Sequence, residues 1–194
     1  MLQSQKRRSD NCHKIRKHIE KGVLPKCKTF EEILEALKLT KKPNVLEVFG
    51  FLSAKVKRGG NMEDLGLLSC QKVTTAFAAY LVDSMQNSTT SPMDVFKYHG
   101  SGTGTTAEAN DQTALVTEVE SRAEGTLIEG ATANIFKSVG TQAYTDTRAI
   151  KEHGLFSASS AGTMLDRSLI ATAINVENTD EIEWTYQLTV SAEA

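Results

Sequence analysis

The segment from residue 94 onward constrains the fold most, because its apolar residues come in short runs separated by turn signals. The runs are Val95 to Tyr98, Ala114 to Val119, Ala133 to Val139, Ala149 to Phe156, Met164 to Ile174 and Ile182 to Val190. Their spacing, roughly 8 to 12 residues, is that of an all-β sandwich or barrel. The last run alternates strictly, with Ile182, Trp184, Tyr186, Leu188 and Val190 on one face and Glu183, Thr185, Gln187 and Thr189 on the other. Successive side chains of a strand point to opposite faces, so one face is expected in the core and the other wet or against a partner. No fixed-period repeat is present, which argues against a solenoid or propeller.

Upstream, Val45, Leu46, Val48, Phe49, Phe51, Leu52 and Val56 precede Gly59-Gly60-Asn61, and Leu65, Leu67, Leu68 and Val73 follow it. That pattern predicts a β-hairpin over 44–75. Residues 76–87 switch to helical spacing, with Phe77, Tyr80, Leu81 and Met85 on one stripe, and Asn87 to Pro92 read as a loop. Residues 1–43 read as a basic helical arm. Asp10 or Asn11 can cap a first short helix carrying Ile15 and Ile19, and Gly22 can end it; Thr29 and Glu32 form a capping box for a second carrying Ile33, Leu34 and Leu37. Stripes this narrow cannot sustain a helix in water, so the arm is expected to lie on something larger. The expected architecture is therefore mainly β: an antiparallel β-sandwich or barrel-like domain (44–194) with an N-terminal helical arm and one helix after the first hairpin.

Charge is distributed unevenly. Residues 1–100 carry 17 Lys and Arg against 10 Asp and Glu, whereas residues 101–194 carry 5 against 14. Opposite charge on the two halves suggests different partners, or contact between halves in an assembly. With 40% hydrophobic and 24% charged residues, wholesale disorder is excluded. Three cysteines, Cys12, Cys27 and Cys70, set no disulfide framework and are expected to be reduced. No run approaches the roughly 18 to 20 apolar residues of a membrane helix, and the basic start has no apolar region behind it, so the expectation is a soluble protein made in a cytoplasm.

Each candidate for chemistry stands beside a plainer reading. Gly100, Gly102 and Gly104 in Gly100-Ser-Gly-Thr-Gly-Thr-Thr106 can let backbone amides cradle a phosphate. However, no lysine follows them as in a Walker loop and no long helix follows as in a dinucleotide fingerprint, so a flexible or tightly bent loop is expected. Cys12, His13, His18 and Cys27 lack the spacing of a zinc site. His99 and His153 each precede a glycine and can meet in space, with Glu152 or Asp166 as an acid–base partner. No nucleophile motif accompanies them, and histidines hydrogen-bonded at strand ends are the expectation. Glu118 and Glu120 are expected on one strand face and Glu177, Asp180, Glu181 and Glu183 in one hairpin. A solvated acidic surface is the default for both groups. Lys6, Arg7, Arg8, Lys14, Arg16, Lys17 and Lys21 belong to a leader whose first 28 residues hold nine basic against two acidic side chains. Such a leader can neutralise phosphates of a nucleic acid, or dock on an acidic protein surface. Neither a catalytic constellation, nor a cofactor, nor a metal is expected.

The strings Lys97-Tyr-His-Gly-Ser-Gly-Thr-Gly-Thr-Thr106, Ala149-Ile-Lys-Glu-His-Gly-Leu-Phe-Ser-Ala158, Gly162-Thr-Met-Leu-Asp-Arg-Ser168 and Trp184-Thr-Tyr-Gln-Leu-Thr-Val190 resemble small structural proteins of tailed-bacteriophage virions. The resemblance spans residues 62–194, and its middle part is similar to tail-collar fibre domains. Gly154 is expected to allow a bulge that turns Leu155 and Phe156 into the core and Asp166 and Arg167 to make a charge-assisted contact near the turn, and Trp184 is counted with the same structural motif. The resemblance implies a non-enzymatic virion protein assembled in the host cytoplasm. On that reading it is a capsid cement or decoration protein that forms a homotrimer or other homo-oligomer and clamps neighbouring major capsid proteins through its arm. The alternatives are a tail or head fibre component binding a host glycan, and a DNA-contacting head or neck protein.

Overall fold

The computed structural model describes residues 47–130 and 132–191. The basic arm, with Lys6, Arg7, Arg8, Lys14, Arg16, Lys17 and Lys21, and the Cys12, His13, His18 and Cys27 group lie outside the described residues.

In chain order the elements are β1 (Glu47–Arg58), β2 (Asn61–Val73), α1 (Thr75–Gln86), a 3-10 turn (Met93–Val95), β3 (Tyr98–Gly102), β4 (Glu118–Glu124), β5 (Thr126–Glu129), β6 (Ile135–Ala143), β7 (Arg148–Phe156), β8 (Met164–Val176) and β9 (Glu181–Ser191). The strands make two antiparallel sheets, β2-β1-β9-β6-β5 and β4-β3-β7-β8. The end of β2 belongs to both, because Lys72 and Val73 pair with Arg167 and Asp166 of β8. The fold is the expected mainly-β, sandwich-like arrangement.

Local sequence explains the hairpin. Arg58 pairs with Asn61, leaving Gly59 and Gly60 as a two-residue loop at φ +53° and +87°. Both central positions of such a turn need positive φ, which glycine adopts without strain. Two bulges interrupt β2 opposite β1, between Leu52 and Ser53 and between Ala54 and Lys55. The added residues shift the alternation, so Leu65 and Leu68 both pack against the core.

Inward-facing residues build that core. Leu52 and Val56 of β1, Ile150 of β7, Ile170, Ile174 and Val176 of β8, and Ile182 and Trp184 of β9 form one cluster. A second joins Leu155, Leu165, Tyr186 and Leu188 to Phe77 of α1 and Phe96. The alternation read in Ile182, Trp184, Tyr186 and Leu188 is borne out, whereas Thr189 is buried rather than wet. Thr74 caps α1 by accepting from the Phe77 N–H at 3.0 Å and donates its own hydroxyl to the Met164 carbonyl at 2.6 Å. Phe77 and Tyr80 meet the Phe96 ring edge-on. Met85, expected on the same stripe, is 82% exposed, because the seat on Phe96 is filled by the first half of the helix.

Several expectations need correction. Val95 closes a 3-10 turn rather than opening a strand, so β3 begins at Tyr98 and takes Gly100 and Gly102 into the sheet. The run Ala114 to Val119 stays irregular until Glu118. β5 and most of β4 have no counterpart among the expected runs, since β4 is largely polar and β5 is only four residues long. These two strands end the pairing order at opposite edges yet are consecutive in the chain. Gly125 joins them, and its N–H donates to the Lys97 carbonyl at 2.7 Å. Three residues of β4 oppose Gly100 alone, and Glu120 takes φ +57°. Glu118 and Glu120 therefore do not share a face: Glu118 binds Arg122, while Glu120 accepts from the Thr145 hydroxyl.

The acidic β8–β9 hairpin is likewise not a free patch. Lys55 reaches Glu183 at 3.0 Å, Lys57 reaches Glu181 at 3.1 Å, and Arg58 reaches Asp180 at 3.4 Å. The two lysine pairs, partly exposed, contribute about 0 to 1 kcal/mol each, but together they match β1 to β9 in register. In the same turn Thr179 sits at φ +76°, a region costly for a β-branched residue. Thr179→Gly keeps the backbone N–H that donates to Tyr144 at 2.9 Å. The variant is expected to gain about 1 kcal/mol in chemical denaturation; unchanged or lower stability would refute the strain.

Candidate functional site

The polar residues that the sequence marks for chemistry fall into two sealed arrays on opposite faces of β7. Glu152, Gly154 and Phe156 face outward from the sandwich, and His153 and Leu155 face inward, as strand alternation requires.

On the outward face Glu152 is fully buried beneath the segment 103–117. Its carboxylate accepts from the N–H groups of Gly104 at 3.1 Å, Val116 at 3.1 Å and Thr117 at 2.7 Å. Gly102 and Gly104 are required by close approach: a Cβ at Gly104 would lie 2.5 Å from Glu152 Oε1, and one at Gly102 would collide with the Thr117 carbonyl. One amide of the glycine string, that of Gly104, does hold an anion, and the anion is the protein's own Glu152. Of the flexible or tightly bent loop expected at Gly100 to Thr106, the part Gly100 to Gly102 lies in β3 and the remainder is an irregular segment tied to this carboxylate through Gly104.

Arg167 completes the array. Its Nε donates to Glu152 Oε2 at 2.6 Å, and one terminal nitrogen donates to the Thr106 carbonyl at 2.9 Å and to Gln112 Oε1 at 3.2 Å. The expected Asp166–Arg167 contact does not form, because adjacent strand residues point to opposite faces. Burial opposes ionisation of Glu152, yet the Thr117 and Val116 N–H groups and the Arg167 guanidinium outweigh it and hold the carboxyl below its usual range. Leu115 seals the rim against Phe156 and Met164. Gly154 is paired with Gly100 and Arg167, and the register breaks lie on either side of it. Leu155 and Phe156 are buried as expected, while Gly154 itself lets Phe156 and Leu115 close over the strand.

On the inward face the two histidines meet. His99 of β3 and His153 of β7 place Nδ1 and Nε2 3.1 Å apart, and His99 Nε2 lies 2.9 Å from Ser138 Oγ of β6, across the sandwich. His153 stacks on Trp184 with ring centroids 4.8 Å apart. Gly125 and Gly140 leave the room this requires, since a Cβ on either would come within 2.9 Å of the His99 ring. Beside the pair, Ser101 Oγ lies 2.9 Å from the Tyr144 hydroxyl, and Gln142 Oε1 accepts from Tyr144 and from Trp184 Nε1, each at 3.3 Å. Gln142 in turn donates to the Ser121 carbonyl at 3.0 Å. Burial pushes the His99 imidazole down to about 3, and burial together with the neighbouring His99 holds His153 well below its ordinary value. Burial drives the Asp166 carboxyl far up, with the Ser168 hydroxyl offsetting only part of the effect.

The meeting of His99 and His153 in space matches the expectation; His99 lies near the start of β3 but His153 lies within β7, and the glycine after each continues its strand instead of turning it. Their partners Ser138, Ser101, Gln142 and Tyr144 are not among the residues that the sequence singles out. The one signal these carry is a polar side chain at a position that alternation assigns to the core. Neither array opens to solvent. Among the described residues no cluster of His, Cys, Asp and Glu is arranged to hold a metal, and no helix is long and apolar enough to cross a membrane.

A separate cleft of about 420 Å³ lies where β2 and β8 diverge beyond their two-residue pairing. Leu65, Leu67, Leu68, Ile170 and Ile174 wall it, and Arg58 and Glu63 on its rim neutralise each other at 2.8 Å. It therefore presents apolar surface without a free charge. When the chain is compared with protein-family models, curated proteins and solved structures, nothing matches.

Proposed function

We propose that the chain is a non-enzymatic structural subunit of a tailed-bacteriophage virion, a capsid cement or decoration protein that associates with copies of itself and clamps neighbouring major capsid proteins. The observation that carries this reading is the placement of the polar residues. Glu152, Arg167, His99, His153 and Asp166 are all turned into the body, where Glu152 pairs with Arg167 and His99 with His153 rather than facing solvent. What reaches solvent is the segment 103–117, an otherwise irregular loop fixed from below by a buried ion pair. A long loop held this rigidly suits contact with a partner, since little conformational freedom is lost on binding.

Charge supports the same reading. The described residues carry 10 Lys and Arg against 18 Asp and Glu, whereas residues 1–46 carry 12 against 5. A cationic leader on an anionic body favours docking between subunits and speeds encounter with an acidic shell. Repeated engagement at symmetry axes multiplies modest single contacts into firm attachment. The test is sedimentation of purified protein with expanded and with immature phage shells. Binding to expanded shells, weakened by salt and by deletion of residues 1–43, is the expected outcome; indifference to both shell forms would refute the reading.

A further inference from the structure

We propose that the His99–His153 pair is an acid-operated latch between the two sheets: neutral rings hold β3 and β7 against β6 and β9, and proton uptake by the pair forces that layer open. The inference goes beyond the virion reading and does not depend on it.

The geometry sets the logic. Two neutral imidazoles share one hydrogen across the 3.1 Å gap, with one ring donating and the other accepting. Full protonation of both rings would put two N–H groups face to face in that gap, so the closed sandwich cannot hold the doubly charged pair. A single added proton would leave a charge between the sheets, where among the described residues no carboxylate bonds to either ring. His99 reaches Ser138 on the opposite sheet, and His153 lies on Trp184 of that sheet, so protonation acts on the very interactions that join the layers. His153 Nδ1 has no hydrogen-bond partner among the described residues, so in the doubly protonated ring its N–H would find no acceptor on that side.

The titratable groups around the pair are few. Asp166 faces the same layer from β8, Tyr186 from β9 with Cys70 of β2 beside it, and Tyr144 follows β6, with Glu120 of β4 acting on it. Glu152 and Arg167 sit on the other face of their strands and neutralise each other. The tyrosines, whose hydroxyls burial pushes up, stay neutral throughout the acid range. Asp166 acts in the opposite sense: burial holds its carboxyl protonated, so it takes up a proton on folding and adds stability as the pH falls. The two histidines give up protons on folding. Their contribution is complete above about pH 6.5, the ordinary imidazole value, and is lost progressively below it, for His99 until its folded value of about 3 is reached.

The difference between wild type and a variant that retains Asp166 but lacks the histidines therefore isolates the latch. The experiment is urea unfolding of the full chain at pH 7.5 and pH 5.0 for wild type, His153→Gln and the double variant His99→Asn/His153→Gln. Relative to the double variant, the wild-type unfolded-to-folded ratio is expected to rise by about 30-fold for each histidine between the two pH values; an equal response in both proteins would overturn the proposal. Because a substituted core can fail to fold, imidazole nitrogen NMR of the wild type supplies a second readout. The latch requires the folded-state signals of His99 and His153 to stay neutral until the protein opens, and folded signals that titrate with a midpoint near 6.5 would end it.

Discussion

Replacing Arg167 with methionine is expected to lower the stability of the chain by about 3 to 5 kcal/mol and to release the segment 103–117 to proteases. The guanidinium donates to a carboxylate that is itself fully buried, so its removal leaves Glu152 charged, desolvated and without a countercharge. Three backbone N–H groups still reach that carboxylate, but those groups belong to the segment that Arg167 ties down through Thr106 and Gln112. Urea denaturation measures the first effect, and mass spectrometry of limited digests locates the second. A useful contrast is Lys55→Met, which breaks an ion pair of similar length at the half-exposed surface and should change stability by no more than about 1 kcal/mol. Equal effects for the two variants would mean that the Glu152 array does not anchor the loop.

Trp184→Ala is expected to lower stability by about 3 to 5 kcal/mol, the range for truncating a fully buried aromatic. Trp184 is the largest buried side chain of the first core cluster. Its ring supports His153, and its Nε1–H is one of two donors to Gln142. Trp184→Phe should be milder, because a ring remains beneath His153 and the Tyr144 hydroxyl still donates to Gln142. The chain has a single tryptophan, so fluorescence reports on this position alone. The wild type should emit at the short wavelengths of an apolar site and shift to longer wavelength in one step on unfolding, and emission typical of exposed indole in the native state would contradict the burial.

How much of the fold is legible follows from the range of each signal. The β1–β2 hairpin, α1 and strands β6 to β9 are written in local patterns: a Gly-Gly turn, a change of period at Thr75, and alternation along Ile182 to Leu188. β5 and most of β4 leave no such trace, because they hold their places by backbone pairing and by the tight passage at Gly125. The arrays are half visible. His99 and His153 stand out by residue type, and their glycine neighbours hint at close packing. Adjacency in the chain assigns Arg167 to Asp166, the wrong carboxylate, whereas the chain must fold before Glu152, fifteen positions earlier, becomes its neighbour. The glycine string suggests an anion cradle, but nothing local to it reveals that the anion is a side chain of the same molecule.

The passage through Gly125 has a consequence for how such bodies can multiply. An open sheet invites another chain to extend it strand by strand, the route to filaments and aggregates. Here the two outermost ribbons run directly into each other, one of them is kinked at Glu120, and the carbonyl of Ser121 is already occupied by Gln142. Growth by lateral recruitment is blunted at that seam, which leaves broad faces and protruding loops as the contact surfaces there, and contacts of that kind favour finite closed assemblies over endless polymers.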